Sequence, residues 1–306
     1  MAPEEFVEGN VIDGKTLAKK IRQHIKKEVE HLTEIHGTPP KLVAIIVGED
    51  PGSKMYVRMK QRACKKAGIL SETYDLPEDT SEEELIDQIQ KLNHDGDVHG
   101  ILVQLPLPDH IDEEEVIDAI SPGKDVDGFS PRNIYRLFHG DDFLSAATPQ
   151  GIVTMLDLLP VELKGKDAVI INRSTIVGKP LIFMLLDRDV TVHVCHSKTE
   201  DLSSKTKKAD ILVTAVGLRE SDDDPYFITE DMVKDDAIVI DVATPKGDVD
   251  FEVVKEKASY ITPVPGGVGP MTIAMLLRNV LAAYSYLQNQ TNIFIVDAID
   301  YGGYTS

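Results

Sequence analysis

The chain has little sulfur to work with: 306 residues contain two cysteines, Cys64 and Cys195, far apart in sequence. That is too few for a disulfide framework and too few for a zinc site, and a reducing cytoplasm is the compartment that fits. No apolar run approaches the ~20 residues needed to cross a bilayer. Residues 1–10 carry three glutamates and no basic side chain, so a secretory signal is not expected. Positive charge is scarce as well. Lys and Arg number 32 against 52 Asp and Glu, for a net charge of -20. Such a surface repels nucleic acid and anionic membranes, and neither is expected as a partner. It is also the kind of surface that suits life in high salt. Short-period repeats and low-complexity segments are missing too.

Against this acidic background one segment stands out. Lys54–Lys66 reads KMYVRMKQRACKK, with six cationic residues and no acid. Either an anion binds there, or the helix charges answer acids elsewhere in the fold.

Apolar patterning predicts alternating strands and helices. In the first half, helices are expected over 16–35, 53–68, 81–92 and 113–120, with strands over 42–47, 72–76 and 100–105. Ser53 reads as an N-cap and Gly68 as a stop. Ser81 with Glu84 forms a capping-box pattern. In the second half, strands are expected over 168–171, 190–195, 211–216, 237–242 and 260–264. Helices are expected over 178–186 and 271–287. This alternation predicts an α/β fold of two domains, each a mainly parallel sheet covered by helices on both faces, with a junction near 147–153.

Five places carry chemistry. Tyr56 and Lys60 are four residues apart and share a helix face with Met59, Ala63 and Ala67. A lysine among apolar neighbours is expected to be partly desolvated, which favours its neutral amine and proton exchange near neutral pH. The plain alternative is a stem packed on the core with its head in water. Gln104 sits near the carboxyl end of a strand, where ligands of parallel sheets bind. Asp125 and Asp127 lie in the loop KDVDG, where aspartates commonly cap or turn unless a ligand claims one.

The fourth place is the strand–helix loop NRSTIVGKP, residues 172–180, where a dinucleotide pyrophosphate would meet a helix N-terminus. Of G-x-G-x-x-G only Gly178 remains. After the next strand comes His196-Ser197-Lys198-Thr199 with no acid for a ribose 2′-hydroxyl. With Arg173 this favours a 2′-phosphate, hence NADP over NAD. The Gly- and Pro-dense segment from Pro263 to Thr272 allows close backbone approach to a planar ligand, or serves as a hinge.

Taken together, DPGSKMYVRMKQRACKKAGI, GILVQLPLP, KDVDGF, ATPQGIV, INRSTIVGKP, HSKT and YITPVPGGVGPMT resemble, in order, the motifs of the methylenetetrahydrofolate dehydrogenase/methenyltetrahydrofolate cyclohydrolase family. The resemblance spans about Val11 to Leu287. It implies oxidation of 5,10-methylenetetrahydrofolate to the methenyl form with NADP (NAD as the other option), then hydrolysis to 10-formyltetrahydrofolate. It implies catalysis by Lys60, with Tyr56 stacking on folate, Gln104 tuning the lysine and Asp127 holding the pterin. Leu105, Pro265, Gly266 and Gly267 match further folate-binding positions. Asn172, Arg173, Ser174, Ile176, Val177, Ser197, Gly217, Ala243, Thr244 and Thr272 match positions around the cofactor. No metal is implied.

The implied division is residues 1–149 for folate, joined by the helix 271–288, and a Rossmann-like domain over 150–270. The tail 289–306 has no assigned role; a homodimer through the cofactor domain is implied. Three departures stand out. Asn172 replaces a usual glycine and either crowds the pyrophosphate or adds a hydrogen bond. Ala147 replaces a common cysteine. The segment 242–248 is shorter than usual and borders the nicotinamide in relatives. The alternatives are an enzyme with only one of the two activities, or a non-enzymatic folate or nucleotide sensor.

Overall fold

The structure is a computed structural model, and it describes residues 1–289. The segment NIFIVDAI, which reads in the sequence as either an extra strand or a partner-binding segment, lies outside the described residues. In chain order the first elements are β1 (Val7–Glu8), β2 (Val11–Ile12), α1 (Gly14–His36), β3 (Lys41–Val47), α2 (Pro51–Ala67), β4 (Leu70–Leu76) and α3 (Glu82–His94). Next come β5 (Gly100–Val103), α4 (Glu113–Asp118), α5 (Pro131–Phe138), α6 (Ala147–Asp157), β6 (Asp167–Ile171), α7 (Gly178–Leu186) and β7 (Thr191–Cys195). The chain continues through α8 (Leu202–Thr206), β8 (Ile211–Thr214), β9 (Ile238–Asp241), α9 (Phe251–Val254), β10 (Tyr260–Ile261) and α10 (Val268–Asn289).

Two compact units result. One joins Met1–Lys20 to Ala146–Met275; the other holds Ile21–Ser145 and α10 from Leu276 onward. The first twenty residues therefore do not group with the segment that follows them, as the expected 1–149 division has it. Backbone hydrogen bonding is the reason. β2 pairs in parallel with β10 through Val11 and Ile261. The Asn10 amide also donates to the carbonyls of Lys255 and Ala258 at 2.7 and 2.9 Å.

The unit holding Ile21–Ser145 is built on a three-stranded parallel sheet, order β4-β3-β5. Six of the seven β3 residues are buried, as a strand covered on both faces requires. Its core gathers Val43, Ile45 and Val103 with Leu85, Ile89 and Leu92 of α3. The capping box of α3 is present, with the Ser81 hydroxyl and the Glu84 carboxylate each satisfying the other's backbone.

In the other unit, seven strands run in the order β1-β2-β10-β9-β8-β6-β7. All pairs are parallel except β1 with β2. Its core includes Val169, Ile171, Leu212, Val239 and Ile261. The expected junction near 147–153 lies beside the boundary between the units at Ser145 and Ala146, and it takes the form of the first two turns of α6, whose residues are almost all buried. Gly151 of α6 lies so close to α10 that an added Cβ would stand 2.9 Å from that of Met271. Among the described residues, no helix is long and apolar enough to cross a membrane.

Candidate active site

α2 starts three residues earlier than the Ser53 cap predicts. Asp50 is the N-cap, accepting the Ser53 N–H at 2.6 Å, and Pro51 occupies the first turn where no N–H is needed. Gly68, at φ 80°, ends the helix in the left-handed conformation. The packed stripe consists of Ser53, Val57, Cys64 and Ala67. Lys60 falls in the middle of that stripe and is half-buried, while Tyr56 and Met59 are 43% and 41% exposed. The apolar face is therefore centred on Val57 and Cys64 and not on Met59. Burial of the Cys64 thiol pushes it up to about 12, which leaves it inert.

Lys60 reaches Gln104. Its Nζ donates to Gln104 Oε1 at 3.2 Å, and Gln104 Nε2 donates to the Leu105 carbonyl at 2.7 Å. The second bond fixes the amide so that its oxygen faces the lysine. Sheet register explains the meeting. β3 pairs with β5 as far as Ile45–Val103, the Gln104 N–H extends that ladder to the Ile45 carbonyl, and α2 follows the carboxyl end of β3.

Asp125 and Asp127 have separate tasks. The Asp125 carboxylate accepts the N–H of Gly128 and Ser130 and the Asn133 amide at 2.8–3.0 Å, so it builds the turn. Asp125 also bridges to Ile101 of β5. Asp127 sits in the turn that follows, near enough to Lys60 for the two charges to interact. No protein donor meets the Asp127 carboxyl among the described residues. Withdrawal from water holds it above the ordinary carboxylate range; the nearby Lys60 charge works against that shift and Asp125 adds to it. Two supports were not legible beforehand. The buried Lys124 ammonium caps α3 through the carbonyls of Leu92 and Asp95, and Asn279 of α10 donates to the carbonyls of Val126 and Ser145.

Of the cationic segment, Lys54 pairs with Glu49, whereas Arg58, Arg62, Lys65 and Lys66 are exposed and have no acidic partner among the described residues.

The remaining proposed positions belong to the seven-stranded unit. β6 is followed by β7 on one side and β8 on the other, so the strand order reverses between β6 and β8. Ligands of such sheets bind outside the carboxyl ends at that point. Asn172, just beyond β6, spans it. Its Nδ2 donates to the Ala215 carbonyl beyond β8 at 2.7 Å, and its Oδ1 accepts from Ser174 N–H, Ser174 Oγ and Gly178 N–H at 2.7–3.1 Å. The departure from glycine thus adds hydrogen bonds. Gly178 has no room for a side chain, since a Cβ would lie 2.3 Å from the Asn172 carbonyl oxygen.

Arg173 follows Ile171 by two residues and Ser197 follows its register partner Cys195 by two, which brings both to the same edge of neighbouring strands. Both are exposed, as is Ile176; Val177 is half-buried, and its N–H donates to Ser174 Oγ at 3.1 Å. Gly217, at φ 68°, lies over the Thr244 carbonyl, and Ala243 is buried. Thr272 Oγ1 is 2.9 Å from Thr148 Oγ1. In the Pro265–Gly267 turn, the Gly266 carbonyl accepts the Lys15 N–H at 2.9 Å. The edge fits a phosphorylated dinucleotide on two counts. The Arg173 guanidinium has no acidic partner, and no acceptor meets the Thr175 or Ile176 N–H among the described residues.

A polar cluster at one strand edge and an anion-receptive switch point at another make this a nucleotide-dependent enzyme of the α/β class. Residues 12–127 match the catalytic domain of tetrahydrofolate dehydrogenase/cyclohydrolase, and residues 146–288 match its NAD(P)-binding domain. The chain belongs to the tetrahydrofolate dehydrogenase/cyclohydrolase family. It is 51% identical over 286 residues to the bifunctional protein FolD of Halothermothrix orenii, covering 91% of this chain and 99% of that one. The crystal structure of the bifunctional FolD of Campylobacter jejuni superposes with a TM-score of 0.85 at 46% identity, over 90% of this chain and 98% of that one. The Trypanosoma brucei methylenetetrahydrofolate dehydrogenase-cyclohydrolase, solved with NADP and an inhibitor, gives 0.86 at 35% identity, over 92% and 99%.

Proposed function

We propose that this protein oxidises 5,10-methylenetetrahydrofolate with NADP and hydrolyses the resulting methenyl compound to 10-formyltetrahydrofolate. The observation that carries this reading is the Lys60–Gln104 contact beside a carboxyl that no protein donor satisfies. The dinucleotide supplies acceptance of a hydride from the methylene carbon. That loss leaves a cationic, electrophilic carbon, to which water adds. Lys60, as its neutral amine, takes one proton from the attacking water and returns it to the departing ring nitrogen, and the second water proton leaves to solvent as the carbonyl forms. Gln104, held by the Leu105 carbonyl, keeps Nζ aimed. Asp127 accepts N–H donors of the pterin, and half-exposed Tyr56 stacks on the ring system. In this reading Ile21–Ser145 is the folate-binding catalytic part and Ala146–Met275 holds the dinucleotide, its 2′-phosphate near Arg173 and Ser197.

We further assign a homodimer formed through the dinucleotide-binding unit. β7 is an edge strand of its sheet, Val194 is 37% exposed, and unpaired edges invite a partner strand. A cytoplasmic location suits two buried, unpaired thiols. The test is a spectrophotometric assay with methylenetetrahydrofolate and each dinucleotide, alongside hydrolysis of the methenyl compound. Methenyl formation with NADP together with hydrolysis is the expected result. Hydrolysis alone reduces the protein to one activity, and neither activity leaves only a sensor.

A further inference from the structure

The acids of KGDVD look like surface charge in so acidic a chain, yet Asp248 is fully buried. Its carboxylate accepts three donors from the end of β8: the Thr214 hydroxyl at 2.6 Å, the Val216 N–H at 2.8 Å and the Gly217 N–H at 2.9 Å. These bonds fold the segment 214–217 around one side chain from a different loop. A second tie runs alongside. Arg219 is 5% exposed, and its guanidinium donates to the carbonyls of Asp224 at 2.9 Å and Gly247 at 3.0 Å while lying 3.8 Å over the Tyr226 ring. Lys246 pairs with Asp222 across the same two loops at 2.8 Å.

We propose that Asp248, assisted by Arg219, is a positioning residue of the dinucleotide site, locking the loops after β8 and β9 into one preformed wall. The inference rests on the assignment of Gly217, Ala243 and Thr244 to the cofactor. The physical reason is pre-organisation. A wall that must order on binding lowers affinity by the entropy of ordering, whereas one already hydrogen-bonded to a buried carboxylate does not. An unsatisfied buried N–H is costly, so the carboxylate and the turn are mutually dependent. The loop 242–248 is short, and these ties give it a fixed course.

The experiment measures NADP binding by titration calorimetry, methenyl hydrolysis, which needs no dinucleotide, and amide hydrogen exchange at Val216 and Gly217 in the cofactor-free protein. In Asp248→Asn one carboxylate oxygen becomes an NH2 facing N–H donors. The expected result is an NADP Kd raised at least tenfold, faster exchange at both amides, and hydrolysis within twofold of wild type. Arg219→Met, which removes only the second tie, is expected to raise the Kd about fivefold and serves alone if the first variant does not fold. NADP binding within twofold of wild type in every variant that folds overturns the proposal, and so does hydrolysis falling in step with affinity. Failure of the wild-type protein to bind NADP would instead reject the underlying cofactor assignment.

Discussion

At the scale of single residues, the proposed chemistry rests on one amine. Removing it tests that directly. Lys60→Met is expected to lower methenyl hydrolysis by a factor of about 10²–10⁴, the usual contribution of a positioned acid–base group, while folate binding stays measurable by fluorescence titration. Unchanged hydrolysis would remove Lys60 from proton transfer. Arg173 makes the second residue-scale prediction. It is exposed and without an acidic partner, so Arg173→Ala should cost nothing in folding. It should raise the KM for NADP about tenfold or more, while the KM for NAD moves by less than about threefold, consistent with loss of a charge-assisted contact to a phosphate. Equal loss for both dinucleotides would place the 2′-phosphate elsewhere.

The same residues show what could be read beforehand. The meeting of Lys60 with Gln104 follows from elements that begin or end at the carboxyl edge of neighbouring strands. Spacing alone placed the lysine among apolar side chains but chose the wrong neighbours, because Met59 and Tyr56 project from the flank of the packed stripe. By residue type and loop position Asp125 and Asp127 are inseparable, and only the family resemblance singles out Asp127; hydrogen bonding gives Asp125 to the turn and leaves Asp127 open. Asp248 was not legible at all, since nothing in its neighbours marks it off from the many acids that face water.

At the scale of elements, the ends of β8 and β9 carry a buried acidic pair. Asp241 accepts the N–H of Ala243 at 3.0 Å and of Val249 at 2.9 Å. Desolvation nonetheless dominates, and with the like charge of Asp248 it pushes the Asp241 carboxyl up to about 7 from its ordinary 3.8. Between those values the folded chain keeps a proton that the unfolded chain has released. Stability from this group is therefore greatest at low pH and falls as pH rises, levelling off above about 7. Between pH 5 and pH 8 the loss amounts to about 3 kcal/mol. In Asp241→Asn that loss disappears. The Tm of wild type relative to the variant should thus fall from pH 5 to pH 8, measured by thermal denaturation at fixed ionic strength. A difference that stays constant would mean that Asp241 is ionised throughout. Element boundaries were read within a few residues wherever apolar periodicity was strong. The start of α6 lies at the boundary between the two units, and Gly151 there permits close approach to Met271 of α10.

At the scale of the whole molecule, the charge of -20 sets the response to salt. Like charges spread over one surface repel, and the screening length shrinks from about 10 Å at 0.1 M to about 3 Å at 1 M. The Tm is expected to rise by several degrees between 0.1 and 1 M KCl, with most of the gain in the lower part of that range. A flat or falling Tm over the range would show that the acids are already offset by local pairing.

The N-terminal strap has a consequence for synthesis. Asn10 and the strand after it wait for partners near Ala258, 248 residues later. At about 5–20 residues per second, the ribosome delivers those partners only after some 12–50 seconds. For that interval the leading segment has no sheet to join, while the intervening Ile21–Ser145 portion already has all three of its strands. The nascent chain would thus complete the three-stranded sheet first and add β2 to the seven-stranded one only once β10 has emerged, and an early stop in translation would leave the β1–β2 hairpin without a dock.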